Sequence, residues 1–157
     1  MRAKKTGVER VKAALEKLEI PFQLQELPQS TRTAKDAAHA VQCSVEQIVK
    51  SLVFTTAEGQ PLLILTSGSN QVKEGLVGRT LGGKIQFAKA DVVREQTGFS
   101  IGGVSPYGLI KQIPIYIDRD LTQYQQVWAA AGSSHAVVRI SPQDLVKTTG
   151  GIVISVH

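Results

Sequence analysis

Apolar residues near the start of the chain recur at spacings of three and four: Val8, Val11, Ala14, Leu15 and Leu18, with Glu9, Lys12, Glu16 and Lys17 between them. That period places one apolar stripe on a helix, which Pro21 ends. "FQLQEL" then alternates apolar and polar, as a half-buried strand does. "PQSTRT" is a turn rich in helix caps before the short alanine-rich helix "AKDAAHAV", and Ser44 caps a further helical turn in "SVEQIV". In "KSLVFTTAEGQPLLILTS" two β-rich runs flank "AEGQ", which predicts a hairpin. Beyond it the pattern gives a helix in "QVKEGLVGRTL", a strand in "KIQFAK" and a helix in "ADVVREQTG" stopped by Gly98. Three strands follow in "IPIYID", "QVWAAAG" and "AVVRIS". Ser141 and Pro142 open the helix "PQDLVKTT", which stops at Gly150-Gly151 before a last strand, "IVISV". Helices and strands are mixed, and the C-terminal half is rich in strands. The pattern therefore predicts a mixed α/β (α+β) sheet rather than a strictly alternating parallel one.

Composition narrows this only slightly. A length of 157 residues, without a linker, repeat or low-complexity segment, reads as one domain over 1–157. The longest apolar run, "PLLILT", is too short to span a bilayer, and no apolar signal core follows the basic start, so a cytoplasmic protein without a membrane partner is expected. Cys43 is the only cysteine, which excludes an internal disulfide and a cysteine metal cluster. It reads as a small apolar residue. The formal net charge is +5, with Arg2, Lys4, Lys5, Arg10 and Lys12 in the first dozen residues. Such a cluster favours a polyanion partner, nucleic acid among them, but it also suits a solvated helix face. His39, His135 and His157 have no metal-ligand spacing, so no metal and no cofactor are expected. No GxxxxGK[ST] loop, dinucleotide fingerprint or G-x-S-x-G elbow occurs.

Four features carry possible chemistry. "TGFSIGGVSPYG", residues 97–108, holds four of the 14 glycines. It is either a plain connection or a backbone cradle in which Gly102, Gly103, Val104 and Ser105 direct amides at one oxygen, stiffened by Pro106. Lys50 at the start of "KSLVF" is either a solvated strand-edge residue or a cation for a phosphate or developing oxyanion. In "TSGSN", Ser69 or Asn70 either caps the next helix or, in the case of Asn70, orients a ligand from the end of the sheet. "AGSSHAVV" places Gly132, Ser133, Ser134 and His135 in a turn that is either structural or part of a binding site.

Together "IVKSLVF", "PLLILTSGSNQV", "TGFSIGGVSPYG", "IPIYIDRDL", "VWAAAGSSHAVVRISPQDL" and the closing "TGG" stand in the order of a known family. The chain resembles the YbaK and prolyl-tRNA synthetase editing-domain-like family, freestanding ProX-type members included. The resemblance runs from "ALEKLEIPFQLQELPQSTRTA" to the C-terminus. It implies a strongly curved, barrel-like mixed sheet flanked by helices, and a trans-editing aminoacyl-tRNA deacylase that hydrolyses the ester of a mischarged tRNA, often tRNA(Pro). The family's key lysine falls at Lys50, its glycine-proline loop at Gly102, Gly103, Val104, Ser105 and Pro106, and its late turn at Gly132 through His135. Cysteine-removing relatives carry an aspartate where this chain has Val137, and a tyrosine near the turn that reads "PQSTRT" here. The resemblance therefore does not carry cysteine specificity across.

An aminoacyl ester is already activated, so the expected chemistry is attack by water or a substrate group, with loop amides holding the oxyanion. Lys50 is expected to hold a phosphate or the carbonyl oxygen, and Asn70 with the 132–135 turn to bind substrate. The basic N-terminal region is expected to meet the tRNA acceptor stem, and prolyl-tRNA synthetase is a further expected partner. The competing readings are a non-catalytic module that binds charged tRNA or a synthetase, and a hydrolase of other activated esters.

Overall fold

The computed structural model describes residues 5–31 and 33–157. Helix α1, Gly7–Lys17, begins where the Thr6 hydroxyl accepts the Glu9 amide, and it buries Val11 and Leu15 completely. It ends before Pro21, with Glu19 at φ 55° turning the chain out. Strand β1 covers Gln23–Glu26 and helix α2 Ala34–Val41, capped by Thr33. A 3₁₀ turn, Val45–Gln47, follows, with Ser44 and Gln47 in a reciprocal capping box. Strands β2, Ile48–Thr56, and β3, Pro61–Ser67, form the predicted hairpin.

Helix α3 covers Glu74–Leu81, so Gln71, Val72 and Lys73 remain outside the longer helix expected from sequence. Strand β4 is Ile85–Phe87, and α4 is Ala90–Thr97, stopped by Gly98 at φ +80°. Strand β5, Ile115–Asp118, runs into a second 3₁₀ turn, Arg119–Gln123, that the hydrophobic pattern does not reveal. Strands β6, Val127–Ala130, and β7, Ala136–Ile140, lead to helix α5, Pro142–Thr149, and strand β8, Ile152–Ile154.

The eight strands join one mixed sheet in the order β1-β7-β6-β2-β3-β5-β8, with β4 also paired to β2. The sheet is open, ending in β1 and β8, rather than closed into a barrel. Its centre explains why "PLLILT" is apolar at successive positions. Leu63 and Leu65 pack on one face with Val11, Leu15, Phe99 and Leu145, and Leu62 and Ile64 pack on the other with Phe54, Val77 and Val156. A strand covered on both faces has no polar side to alternate with.

One feature of the pairing shapes the molecule's main cavity. Along the edge opposite β3, β2 pairs in parallel with β6 only at Ile48–Trp128 and Val49–Ala129. It then pairs with β4 from Phe54 onward. Between these contacts, residues 50–52 have no strand partner on that edge. The sheet is therefore split beside Lys50.

Candidate active site

The split opens into a cavity of about 730 Å³. Lys50, Ser51 and Leu52 of β2 form one wall, and Trp128, Ala129 and Ala130 of β6 with Val137 of β7 form another. Ile101, Gly102 and Val104 of the glycine loop, Gly68 and Ser69 after β3, and Thr31, Thr33 and Lys35 at the start of α2 complete it. Its size suits an amino acid joined to part of a nucleotide.

Lys50 is half-buried and donates from Nζ to the Asn70 carbonyl at 2.5 Å. Desolvation pulls its pKa below the ordinary lysine value, and the nearby Asp118 carboxylate pulls it partly back up. Asn70 is tied in turn to the strand on the far side of β3. Its side-chain amide donates to Asp118 Oδ2 and Asp120 Oδ2, both at 2.8 Å. Asp118, only 1% exposed, also accepts the Ser67 amide on Oδ2 and the Asp120 amide on Oδ1, each at 2.9 Å. A buried carboxylate needs such donors to remain in place. Asp120 completes the chain of contacts with His157 at 3.0 Å, and the hydrogen bonds from His157 and Asn70 hold its carboxyl below the usual range. Asn70 therefore stands behind Lys50, outside the cavity wall, with its side-chain NH₂ shared between two carboxylates and its backbone carbonyl accepting from Lys50. The side chain expected to orient a ligand is thus engaged with Asp118 and Asp120.

The glycine loop divides into parts with different tasks. The Gly103 amide is used within a turn, donating to the Ser100 carbonyl at 2.9 Å, so it is not a free member of the expected cradle. Ser105 is fully buried and accepts the Tyr107 amide on its hydroxyl at 3.1 Å. Pro106 is also buried, and neither residue reaches the cavity wall. The cavity-lining members are Gly102, at φ +95°, and Val104, and among the described residues neither of their amides has a protein acceptor. The cradle is thus narrower than the five residues expected from sequence.

The 132–135 turn supports that loop from behind. The Gly132 amide donates to the Gly103 carbonyl at 3.1 Å, and a Cβ on Gly103 would lie 2.8 Å from the Ser133 Cα. Thr31 secures the turn from the other side, where its amide and hydroxyl both donate to the Ser134 carbonyl, at 2.7 and 2.9 Å. His135 is exposed, its amide bonded to the Ser133 hydroxyl. Gly132, Ser133, Ser134 and His135, expected to bind substrate, stand behind the loop and are not among the residues lining this cavity.

Sequence reasoning missed Thr31, Thr33, Lys35, Ser51 and Trp128 as cavity residues. The hydroxyls in "PQSTRT" read equally well as helix caps, and Thr33 does cap α2 by accepting the Asp36 amide. The acidic pair in "IDRD" at a strand end was the available signal for the Asn70 clamp. Of the basic N-terminal cluster, Lys5 and Lys12 are exposed, whereas Arg10 turns inward onto backbone carbonyls and is not free to contact RNA. Arg2 and Lys4 lie outside the described residues. Cys43 is partly buried, and burial pushes its thiol pKa up, consistent with a packing role. Among the described residues no group of three or more His, Cys, Asp or Glu side chains is placed to hold a metal ion, and no helix is long and apolar enough to cross a membrane.

This arrangement matches known proteins throughout. Residues 28–148 fit the family model of the aminoacyl-tRNA editing domain. The chain belongs to the aminoacyl-tRNA editing domain family. A crystal structure described as a candidate trans-editing enzyme for prolyl-tRNA synthetase superposes with a TM-score of 0.90 at 44% identity, covering 98% of each chain. An uncharacterised protein of Bacillus subtilis, YwhH, is 33% identical over 120 residues, 76% of either chain. EbsC of Enterococcus faecalis, named as a candidate Cys-tRNA(Pro)/Cys-tRNA(Cys) deacylase, is 23% identical over 120 residues, spanning 76% of this chain and 73% of its own. The chain is thus similar to one protein described for prolyl-tRNA synthetase trans-editing and to another named for Cys-tRNA deacylation.

Proposed function

We propose that this protein is a trans-editing aminoacyl-tRNA deacylase acting on mischarged tRNA, with tRNA(Pro) as its main substrate. The observation that carries the reading is one cavity lined by Lys50, Gly102 and Val104, the last two with amides that have no protein acceptor among the described residues. A cation and free backbone donors beside one pocket suit an ester whose carbonyl oxygen gains charge on attack. The similarity to a candidate trans-editing enzyme for prolyl-tRNA synthetase favours tRNA(Pro).

In this reading the 3′-terminal adenosine enters the split beside β2. Water, activated directly or with the help of a hydroxyl of the substrate, attacks the ester carbonyl, and the Gly102 and Val104 amides hold the oxyanion. Each such donor contributes about 3–4 kcal/mol in comparable sites. Collapse of the intermediate breaks the acyl–oxygen bond, and the ribose oxygen leaves with a proton. One Lys50 proton is engaged by Asn70, which leaves two to meet the phosphate or carbonyl oxygen. Lys35 adds an exposed cation at the cavity's mouth. Lys5 and Lys12 add charge for the acceptor stem, with prolyl-tRNA synthetase as a further partner in the cytoplasm.

The test is a deacylation panel of several amino acids on several tRNAs, each against a control without protein. Wild-type protein should accelerate hydrolysis of at least one mischarged tRNA(Pro), and Lys50→Ala should lower that rate on the order of 100-fold. Rates equal to the control across the panel would overturn the reading. Full activity of Lys50→Ala would remove Lys50 from the mechanism.

A further inference from the structure

The two ends of the glycine loop are joined by one side chain from a distant part of the chain. Arg10, on α1, donates from Nη2 to the Gly98 carbonyl at 2.8 Å and from Nε to the Gly108 carbonyl at 3.2 Å. Its guanidinium carbon lies 4.5 Å from the centroid of the Phe99 ring, within cation–π range. Among the described residues no carboxylate lies within salt-bridge distance of it. Its charge therefore serves two backbone carbonyls, one of them at the C-terminal, negative end of α4.

The same helix also touches the turn behind the loop. Gly7 packs so closely on Gly132 that a Cβ on Gly132 would overlap the Gly7 backbone, and Gly132 holds the Gly103 carbonyl. Gly108, at φ +77°, rests on the Arg10 backbone, where a Cβ would lie at 3.0 Å. Helix α1 thus fastens the loop at both ends and, through Gly132, behind its middle. Between these fastenings stand Gly102 and Val104.

We propose that Arg10 is a positioning residue that holds the 98–108 loop in the shape required by the Gly102 and Val104 amides; its catalytic consequence rests on the deacylase reading above. A planar guanidinium presents several N–H donors in a fixed fork, which lets one group span two carbonyls. A lysine ammonium is a point donor on a flexible stem and cannot impose that spacing. Fixing the loop before substrate arrives benefits charge that develops only in the transition state, so the loss should fall on kcat rather than KM.

The experiment compares Arg10→Lys, Arg10→Ala and Val11→Ala. Val11 is the fully buried neighbour on α1, so its truncation weakens the packing of the helix without removing either Arg10 hydrogen bond to the loop. Amide hydrogen exchange at Gly103 and Gly132, whose amides are bonded to the Ser100 and Gly103 carbonyls, should rise in both Arg10 variants relative to amides of β3, and millimolar guanidinium should restore protection in Arg10→Ala. On a mischarged tRNA that the wild type hydrolyses, kcat should fall on the order of 100-fold, as expected for displacement of about 1 Å, with KM little changed. Val11→Ala should lose stability but keep kcat below its melting range. Unchanged loop exchange in the Arg10 variants overturns the proposal. So does a kcat loss in Val11→Ala equal to theirs, or a rise in KM with kcat intact, which would make Arg10 an RNA contact. If the wild type hydrolyses nothing in the panel, the deacylase reading fails, and the exchange measurement still decides the role of Arg10.

Discussion

Replacing Asp118 with asparagine tests the clamp behind Lys50 with the smallest change of shape. The carboxylate accepts three N–H groups: Ser67 and Asn70 on Oδ2, and Asp120 on Oδ1. An asparagine in either orientation turns an NH₂ toward at least one of these donors. The less costly orientation faces Asp120 and loses that bond, at about 1.5–3 kcal/mol for a bond to a charged acceptor. The two surviving bonds fall from charge-assisted to neutral strength, about 1 kcal/mol each. Relief of the buried charge offsets part of this, which leaves a net loss of about 3 kcal/mol. For a chain of this size that lowers Tm by about 6–12 °C, read by calorimetry or circular dichroism. The Lys50 pKa should also fall further below the ordinary value, because Asp118 is the group that raises it. A ¹³C NMR titration of the lysine Cε reads this directly. Asn70→Ala leaves the Ser67 and Asp120 contacts intact but removes the amide from the buried Asp118 carboxylate, and should cost about 1.5–3 kcal/mol. A Tm change under about 2 °C in Asp118→Asn, or an unchanged Lys50 pKa, would refute the clamp.

Three further outcomes follow from the geometry. Gly103→Ala places a Cβ 2.8 Å from the Ser133 Cα and 2.9 Å from its amide nitrogen, both backbone atoms, so loop and turn must separate; it should cost about 1–3 kcal/mol in urea unfolding and reduce deacylation beyond that stability loss. Burial pushes the Tyr107 hydroxyl up to about 12, from about 10 when unfolded. Because the folded pKa is the higher one, its contribution is complete below about pH 10 and is lost as pH rises through about 12. That amounts to about 2–3 kcal/mol, and Tyr107→Phe should flatten this part of the Tm–pH curve. The lowered Lys50 pKa means its charge is lost at lower pH than an ordinary lysine's. Binding of a non-hydrolysable aminoacyl-adenosine analogue, followed by calorimetry, should therefore weaken on the alkaline side at a lower pH than an ordinary lysine would dictate, and Lys50→Ala should lack this dependence.

The elements were legible because their signals are local. Thr6, Thr33 and Ser141 each accept the amide three residues on, as N-cap residues do. Gly98 and Gly150 stop α4 and α5 in the left-handed conformation that glycine tolerates. The hairpin of β2 and β3 is likewise written in two β-rich runs around "AEGQ". Where the reading overran, as at the start of α3, helix-compatible residues continued past the point where tertiary contacts began: the Lys73 amide is taken by the Val156 carbonyl. That the curved mixed sheet stays open, with β1 and β8 at its ends, depends on which edge strands meet, and no local pattern reports that.

The site was legible as a set of segments but not as a division of labour. The sequence by itself determined the mixed fold, the position of Lys50 on a strand and the concentration of glycines in 98–108. Periodicity, capping and backbone freedom depend on near neighbours. Only the tertiary structure decided that β2 parts from β6 beside Lys50, that Gly103 is already bonded while Gly102 and Val104 are not, and that Asn70 and the 132–135 turn act from behind the wall. It also decided that Arg10 faces two carbonyls rather than solvent. These partners lie tens of residues apart in the chain: Arg10 is 88 positions from Gly98, and Asn70 is 48 from Asp118. Hydrogen bonds over such separations are selected by how the sheet and helices pack, and that packing is a property of the whole chain.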